Sequence, residues 1–409
     1  METVKGFKDI ENSTKRNFIK NIIENTFKLY NFIPVETPII EYEKFVKGNN
    51  ETDEAVSDIF RLKDKGKRNL ALRYEFTFQL KRLTKNKKLP YKRYQIGPVF
   101  RDEPITKNRW RQFTQCDIDT IGSSLKDEAE ILKITSEILK KLKINFAINY
   151  NNRKLLDEIL DFIINIKKKK EKRDFIRSLD KLDKKSLKEA KDELEKRYKG
   201  EGKKLNLFLS TLKLNSFNKL REYYKKICKN RKIKYNQTKF AEIEKEIQEF
   251  EKVCKLYGVE VNFVPTLARG LSYYNGTIFE IKSDLKETIV AGGSYLINNI
   301  QSTGISLGLE RLELLSKTPF ENKKVLIISL GQDKKAIKIA EKIRSEKIPA
   351  QISYKKLIKA LDYANSLNIP LVIFIGEKEI KEKKLKIKNM ETGKEKTIPE
   401  NQLIKFLKK

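Results

Sequence analysis

Apolar positions recur at helical spacing at Phe18, Ile19, Ile22, Ile23, Phe27 and Tyr30, which predicts an amphipathic helix over residues 13–31, with Ser13 or Thr14 as its cap. Pro34 and Pro38 frame an extended stretch after it. Leu70 to Arg73 reads as a strand, followed by a helix from Thr77 to about Leu83. Residues 93–99 then alternate like a strand entering a hairpin, Ser124 or Asp127 opens a helix to about Lys141, and Ile144 to Tyr150 is a strand. From about Asn152 to Tyr257 the pattern turns helical and lysine-laden, with Gly200 and Gly202 marking a turn. Strand character returns at Val259 to Val264, at Thr277 to Ile281, and before Gly292-Gly293. Beyond the boundary at Thr318-Pro319-Phe320, β and α segments alternate from Val325 to Gly376, which predicts a small parallel α/β domain.

The hairpin carries the densest chemistry. Arg101, Arg109 and Arg111 sit in a strand–loop–strand pattern, and acids and amides return at Gln115, Asp117 and Asp119. Polyphosphate is held best by planar, permanently charged guanidinium forks, whereas an ammonium group needs acids and amides. Both occur within twenty residues, which fits a nucleotide phosphate bound beside an amino acid; an edge hairpin with a solvated charged loop fits the same pattern.

Composition narrows the chemistry further. Among 409 residues, 89 are Lys or Arg and 56 are Asp or Glu, a formal net charge of +33 that permits a polyanionic partner such as RNA. A general lysine bias would give the same excess, and the run from Lys167 to Arg173 is most simply a solvated face. No apolar run reaches the roughly 18–20 residues that span a bilayer, and the start of the chain has no signal-peptide pattern. Cys116, Cys228 and Cys254 are irregularly spaced and fit a reducing, cytoplasmic setting. There is no histidine and no Cys-x-x-Cys, so neither a zinc site nor imidazole acid–base catalysis is expected. Chemistry here rests on electrostatics and positioning.

Two further constellations follow. Arg269-Gly270-Leu271-Ser272-Tyr273-Tyr274 lies between strands, with its adjacent tyrosines expected on opposite sides of an extended chain. Gly304 to Leu312 is a Gly-spaced strand leading into a helix with Arg311 at its start. In this order, together with Lys5-Gly6-Phe7-Lys8-Asp9, Leu72 to Thr77 and the hairpin Phe100 to Asp119, they resemble the class II aminoacyl-tRNA synthetases, and within them the histidyl-tRNA synthetase family. Gln115 to Asp119 is similar to the archaeal and eukaryotic branch, and the tail to its anticodon-binding domain.

The resemblance implies an α+β fold, an antiparallel sheet flanked by helices. It divides the chain into a catalytic domain at 1–151 and 258–320, a helical insertion at 152–257 and an anticodon-binding α/β domain at 321–409. It also implies a homodimer built around Phe18 to Glu41, no membrane, ATP with Mg2+, and histidine and its tRNA as partners, the acceptor end read by Thr106-Lys107-Asn108. Arg101, Arg269 and Arg311 would be catalytic. Arg101, Arg109, Phe113 and Arg311 would hold ATP, with adenine between Phe113 and Arg311. Glu75, Thr77, Gln115, Asp119, Tyr273 and Tyr274 would hold histidine beside Arg101 and Arg269; Asp119 and Tyr274 would take the imidazole. Ser272, Tyr74 and Ser294 depart from the family pattern, where aspartate, proline and arginine are usual. The competing expectation is a non-catalytic paralogue, a histidine-sensing regulatory subunit or an RNA-binding module. Without histidine, apo stability is expected to be flat across roughly pH 5.5–7.5, shifted carboxylates such as Glu75 or Asp119 excepted.

Overall fold

The alternation around the arginines becomes two ten-residue strands, Tyr91–Phe100 and Gln112–Ile121, paired antiparallel. The structure is a computed structural model, described for residues 2–48, 56, 58–106, 109–181, 186–269, 273–283, 288–319 and 324–408. It divides into two units, Met1–Thr318 and Pro319–Lys409.

In chain order the strands of the first unit are β1 (Ile33–Pro34), β2 (Ile40–Tyr42), β3 (Arg61–Lys63), β4 (Asn69–Leu72), β5 (Tyr91–Phe100) and β6 (Gln112–Ile121). They continue as β7 (Ala147–Asn152), β8 (Asn262–Phe263), β9 (Tyr274–Lys282), β10 (Thr288–Ile297) and β11 (Ile300–Gly308). The main sheet has the order β1-β5-β6-β11-β10-β9-β7-β8. Its outer pairs β1–β5 and β7–β8 are parallel, and every interior pair is antiparallel. A small antiparallel sheet, β2-β4-β3, stands apart from it.

Period two decides the sheet's two faces. Cys116, Ile118, Ile305 and Leu307 point to one side, where Ile19, Ile23 and Phe27 of helix Thr14–Leu29 and Ile131, Leu132 and Ile138 of helix Leu125–Lys141 bury them. Burying one such side chain contributes on the order of 1.5–3 kcal/mol. The interleaved residues, largely polar, take the other face.

Local chemistry sets the ends of these helices. Asn12 caps the first, accepting from the Thr14 amide at 3.1 Å, and the expected Ser13 makes no side-chain cap bond. Both candidates act at the second: Asp127 accepts from the amide and the hydroxyl of Ser124, each at 2.8 Å. The helix expected from Thr77 is shorter, Leu80–Leu83, because residues 75–79 turn to bring Glu75 toward the sheet. Between β7 and β8 lies a run of helices from Arg153 to Leu256, including a one-turn π-helix at Ile159–Ile163. The strands expected at 144–150 and 259–264 are displaced or shortened to β7 and β8.

The second unit holds β12 (Val325–Ser329), β13 (Ala350–Ser353), β14 (Leu371–Ile375), β15 (Lys384–Asn389) and β16 (Glu395–Pro399), in the order β13-β12-β14-β15-β16. The parallel expectation over Val325 to Gly376 holds for β12, β13 and β14, and β15 and β16, beyond it, add two antiparallel strands that it did not include. Lys384 to Lys388 alternates Lys-Leu-Lys-Ile-Lys, burying Leu385 and Ile387 against the sheet.

Candidate active site

Register puts the functional side chains in rows. Arg93, Gln95 and Gly97 of β5 lie opposite Asp119, Asp117 and Gln115 of β6. On the other flank, Gly304, Ser306 and Gly308 of β11 lie opposite the same three residues. Tyr274 of β9 pairs with Tyr295 of β10, and Tyr295 with Ser302 of β11, so these phenols project from the same face. Glycine at 304 is required by this packing. A Cβ there would lie 2.1 Å from Asp119 Oδ1.

One half of the face is acidic and buried. Arg93, fully buried, places Nη2 2.7 Å from Asp119 Oδ2 and donates to the Phe76 carbonyl at 3.0 Å. The Tyr295 hydroxyl donates to the other Asp119 oxygen. Asp117 and Gln115 each keep a side-chain oxygen without a partner, and Tyr273 Oη reaches Glu75 Oε2 at 3.4 Å. Burial pushes Glu75 up to about 7, opposed chiefly by Arg101. Burial and the adjoining Asp119 push Asp117 up to about 8, and burial raises Asp119 too. Three buried carboxyls thus share this half of the face with one fully buried guanidinium.

The other half is basic. Arg101 donates from Nε to the Tyr74 carbonyl at 3.0 Å, and its guanidinium lies 5.2 Å from the centre of the Phe113 ring. Glu103 joins Arg109 at 3.1 Å, and Thr106 and Arg109 exchange backbone bonds at the hairpin tip. Lys107 and Asn108 lie outside the described residues. Arg311 donates to the Thr288 carbonyl, and its Cδ would be 3.8 Å from a Cβ on Gly308, beside Gln115. Arg269 approaches Glu280 at 3.8 Å, with its Nε unpartnered.

Glu75, Arg101, Arg109, Phe113, Gln115, Asp119, Tyr273, Tyr274 and Arg311 therefore occupy one face or its rim. Thr77 is half-buried in the turn two residues past Glu75, and Gly270, Leu271 and Ser272 lie outside the described residues. One expectation is corrected: the Tyr273 and Tyr274 rings sit 4.8 Å apart, because Tyr273 belongs to the turn before β9. Of the departures, Tyr74 stacks on Phe78 at 5.8 Å, and Ser294 donates on the opposite sheet face to buried Glu128. Sequence reasoning left out Arg93, Gln95, Tyr295 and Gly304, whose roles come from cross-strand register. Asp117, alternating with Gln115 and Asp119, carried its own signal.

The raised acids are the exception that the flat pH expectation allowed, extended to Asp117 and Glu128. Glu75 and Glu128 move from 4.5 to about 7 and Asp117 from 3.8 to about 8, burial being the first cause of each. Between the unfolded and folded values the folded state holds protons that the unfolded chain has released, so stability falls as pH rises. Chemical unfolding of the apo protein should lose at least about 1.4 kcal/mol per pH unit between roughly pH 5 and 7. A level profile there would show that these carboxyls are ionised in the folded state.

An antiparallel sheet with an arginine hairpin at one edge, and a strand–helix junction ending in arginine beside it, is the catalytic architecture of a class II aminoacyl-tRNA synthetase. Residues 7–312 match the histidyl-tRNA synthetase family and residues 324–409 the anticodon binding domain family. The chain belongs to the histidyl-tRNA synthetase family. It is 36% identical over 433 residues to histidine–tRNA ligase 1 of Bacillus cereus, covering 98% of this chain and 95% of that protein. The histidine–tRNA ligase of Helicobacter pylori (strain J99) is 31% identical, with 96% and 94% covered. The crystal structure of histidyl-tRNA synthetase from Nostoc shares the fold with a TM-score of 0.82 at 24% identity, over 100% of this chain and 98% of that one. An ATP phosphoribosyltransferase regulatory subunit/histidyl-tRNA synthetase from Bacillus halodurans shares it at 0.72 and 19%, over 88% and 96%.

Proposed function

We propose that this chain is a histidine–tRNA ligase, which joins L-histidine to ATP as the adenylate and passes it to the 3′ end of histidine tRNA. The observation that carries the reading is the split of one sheet face into an acidic half and an arginine half. The acids Glu75, Asp117 and Asp119 with Gln115 suit the α-ammonium and ring of histidine; Arg101, Arg109 and Arg311 suit the phosphates, and Phe113 the adenine. The substrate carboxylate is already ionised, so its oxygen attacks the α-phosphorus without a protein base. A new P–O bond forms as pyrophosphate leaves. Charge gathers on phosphate oxygens, which fixed guanidinium groups stabilise. In the second step a terminal ribose hydroxyl of the tRNA attacks the adenylate carbonyl and AMP leaves.

Among the described residues no group of three or more carboxylate, thiol or imidazole side chains is placed to cage a metal. Mg2+ accompanying ATP would rest on the phosphates and at most one or two carboxylates. We take residues 1–151 and 258–320 as the catalytic domain, 152–257 as its insertion and 321–409 as the anticodon-reading domain, all acting in the cytoplasm. No helix among the described residues is long and apolar enough to cross a membrane.

Histidine-dependent exchange of pyrophosphate into ATP tests the function. Histidine binding without any exchange would favour the regulatory-subunit reading, against which the anticodon-binding match at 324–409 stands. We also take the protein to be a homodimer, because Leu29, Ile33, Ile40 and Tyr42 are 76%, 46%, 50% and 57% exposed along the segment expected to pair. Sedimentation at micromolar concentration should give twice the 48.0 kDa chain mass. The charge of +33 leads to a further expectation: tRNA affinity falls steeply with salt, log K tracking log salt. A flat response would make the excess lysine compositional.

A further inference from the structure

A second polar cluster lies on the helix side of the sheet, behind the nucleotide half. The Thr114 amide donates to both oxygens of Glu310, at 2.9 and 3.1 Å. Arg16 Nη2 donates to Glu310 Oε1 at 2.6 Å and to Thr114 Oγ1 at 2.5 Å, while its Nη1 reaches Glu313 at 3.4 Å. The side chains of Arg16 and Glu310 are only 12% and 19% exposed. One ion pair thus joins helix Thr14–Leu29, the start of β6 and helix Leu309–Leu315. Its sequence neighbours are telling: Phe113 precedes Thr114 and Arg311 follows Glu310.

We infer that Arg16 and Glu310 are positioning residues that set the spacing of Phe113 and Arg311. Partly buried charges are costly unless paired, and apolar side chains would join these elements as firmly. A carboxylate held by a backbone amide and a guanidinium instead fixes direction and distance. Adenine needs a slot of defined width, and Glu310 spans the two chain segments that form its walls. The acidic half is anchored separately, through Arg93, Tyr295 and Asp119. Disturbing Arg16 should therefore separate the two substrates.

The inference rests on the assignment of Phe113 and Arg311 to the nucleotide. In full-length protein, pyrophosphate exchange is measured for Arg16→Gln, Arg16→Lys and Phe113→Ala with each substrate varied. Arg16→Gln should raise KM for ATP by about tenfold or more while KM for histidine stays within about threefold, and Arg16→Lys should recover part of the loss. Equal changes in both KM values, or none, would overturn the positioning role. If Phe113→Ala leaves KM for ATP unaltered, the nucleotide assignment itself fails, whatever Arg16→Gln does. Should Arg16→Gln not fold, Glu310→Gln is read by the same criteria. Quenching of the single tryptophan, Trp110 between Arg109 and Arg111, gives the ATP comparison without turnover.

Discussion

Arg101→Ala should lower the rate of histidyl-adenylate formation by about 10²–10³-fold while the protein stays folded. Arg101 lies where the acidic and basic halves meet, its Nε fixed by the Tyr74 carbonyl and its guanidinium over Phe113. The side chain is 24% exposed, so truncation opens little of the core. What disappears is a preorganised charge at the α-phosphate. A second effect distinguishes this variant from a general loss of activity. Arg101 is the main group opposing the upward push of burial on Glu75, so its removal should drive Glu75 further above 7 and move the acidic limb of the histidine-binding profile to higher pH. Arg101→Lys should restore the charge without the planar fork and recover only part of the rate. Exchange kinetics across pH 6–9 measure both effects. Near-normal exchange in Arg101→Ala would remove this residue from the catalytic set.

How much of this site could be read from the chain depends on whether the signal is local. Arg101, Arg109 and the Gln115–Asp119 alternation announce themselves because strand and charge pattern coincide within a few residues. Arg311 was legible through its strand–helix junction. Arg93 was not, since its importance comes from facing Asp119 across β5 and β6, and alternation cannot supply register. Gly292-Gly293 misled in the same way. It read as the end of a strand, yet β10 runs through it, because a Cβ at 292 would lie 2.2 Å from the Gly304 carbonyl oxygen on β11. In the second unit, β15 and β16 escaped notice although Lys384 to Lys388 alternates cleanly; lysine abundance elsewhere masked a true period-two strand. The pH behaviour depends on a non-local property of the same kind. Absence of histidine removes the usual titrating group, but burial creates others from Glu75, Asp117 and Glu128, and burial is a property of the fold.

Arg93→Met tests that buried electrostatics most severely. Arg93 is fully buried, 2.7 Å from Asp119, and it also holds the Phe76 carbonyl beside Glu75. Methionine retains much of the stem but leaves Asp119 with Tyr295 as its remaining partner and with Asp117 close by. Breaking a buried pair by removing one member costs about 3–5 kcal/mol, most of it the penalty of an uncompensated charge. That penalty has a pH signature. Losing Arg93 raises the folded pKa of Asp119, which burial has already lifted above its ordinary value. A raised folded carboxyl binds a proton that the unfolded chain has released, so its stabilising contribution is lost as pH rises. The variant should therefore be least stable relative to wild type near pH 8 and recover part of the difference near pH 5, because falling pH favours the protonated form of Asp119. Urea unfolding at the two pH values measures this. The double variant Arg93→Met with Asp119→Leu should regain much of the stability, since replacing both partners by apolar groups leaves no orphan charge. It should still fail to activate histidine, because the pocket has lost an acid and the anchor of the Glu75 turn. A loss below about 1 kcal/mol at pH 8 for Arg93→Met alone, or one independent of pH, would show that Asp119 is neutral in the wild-type fold.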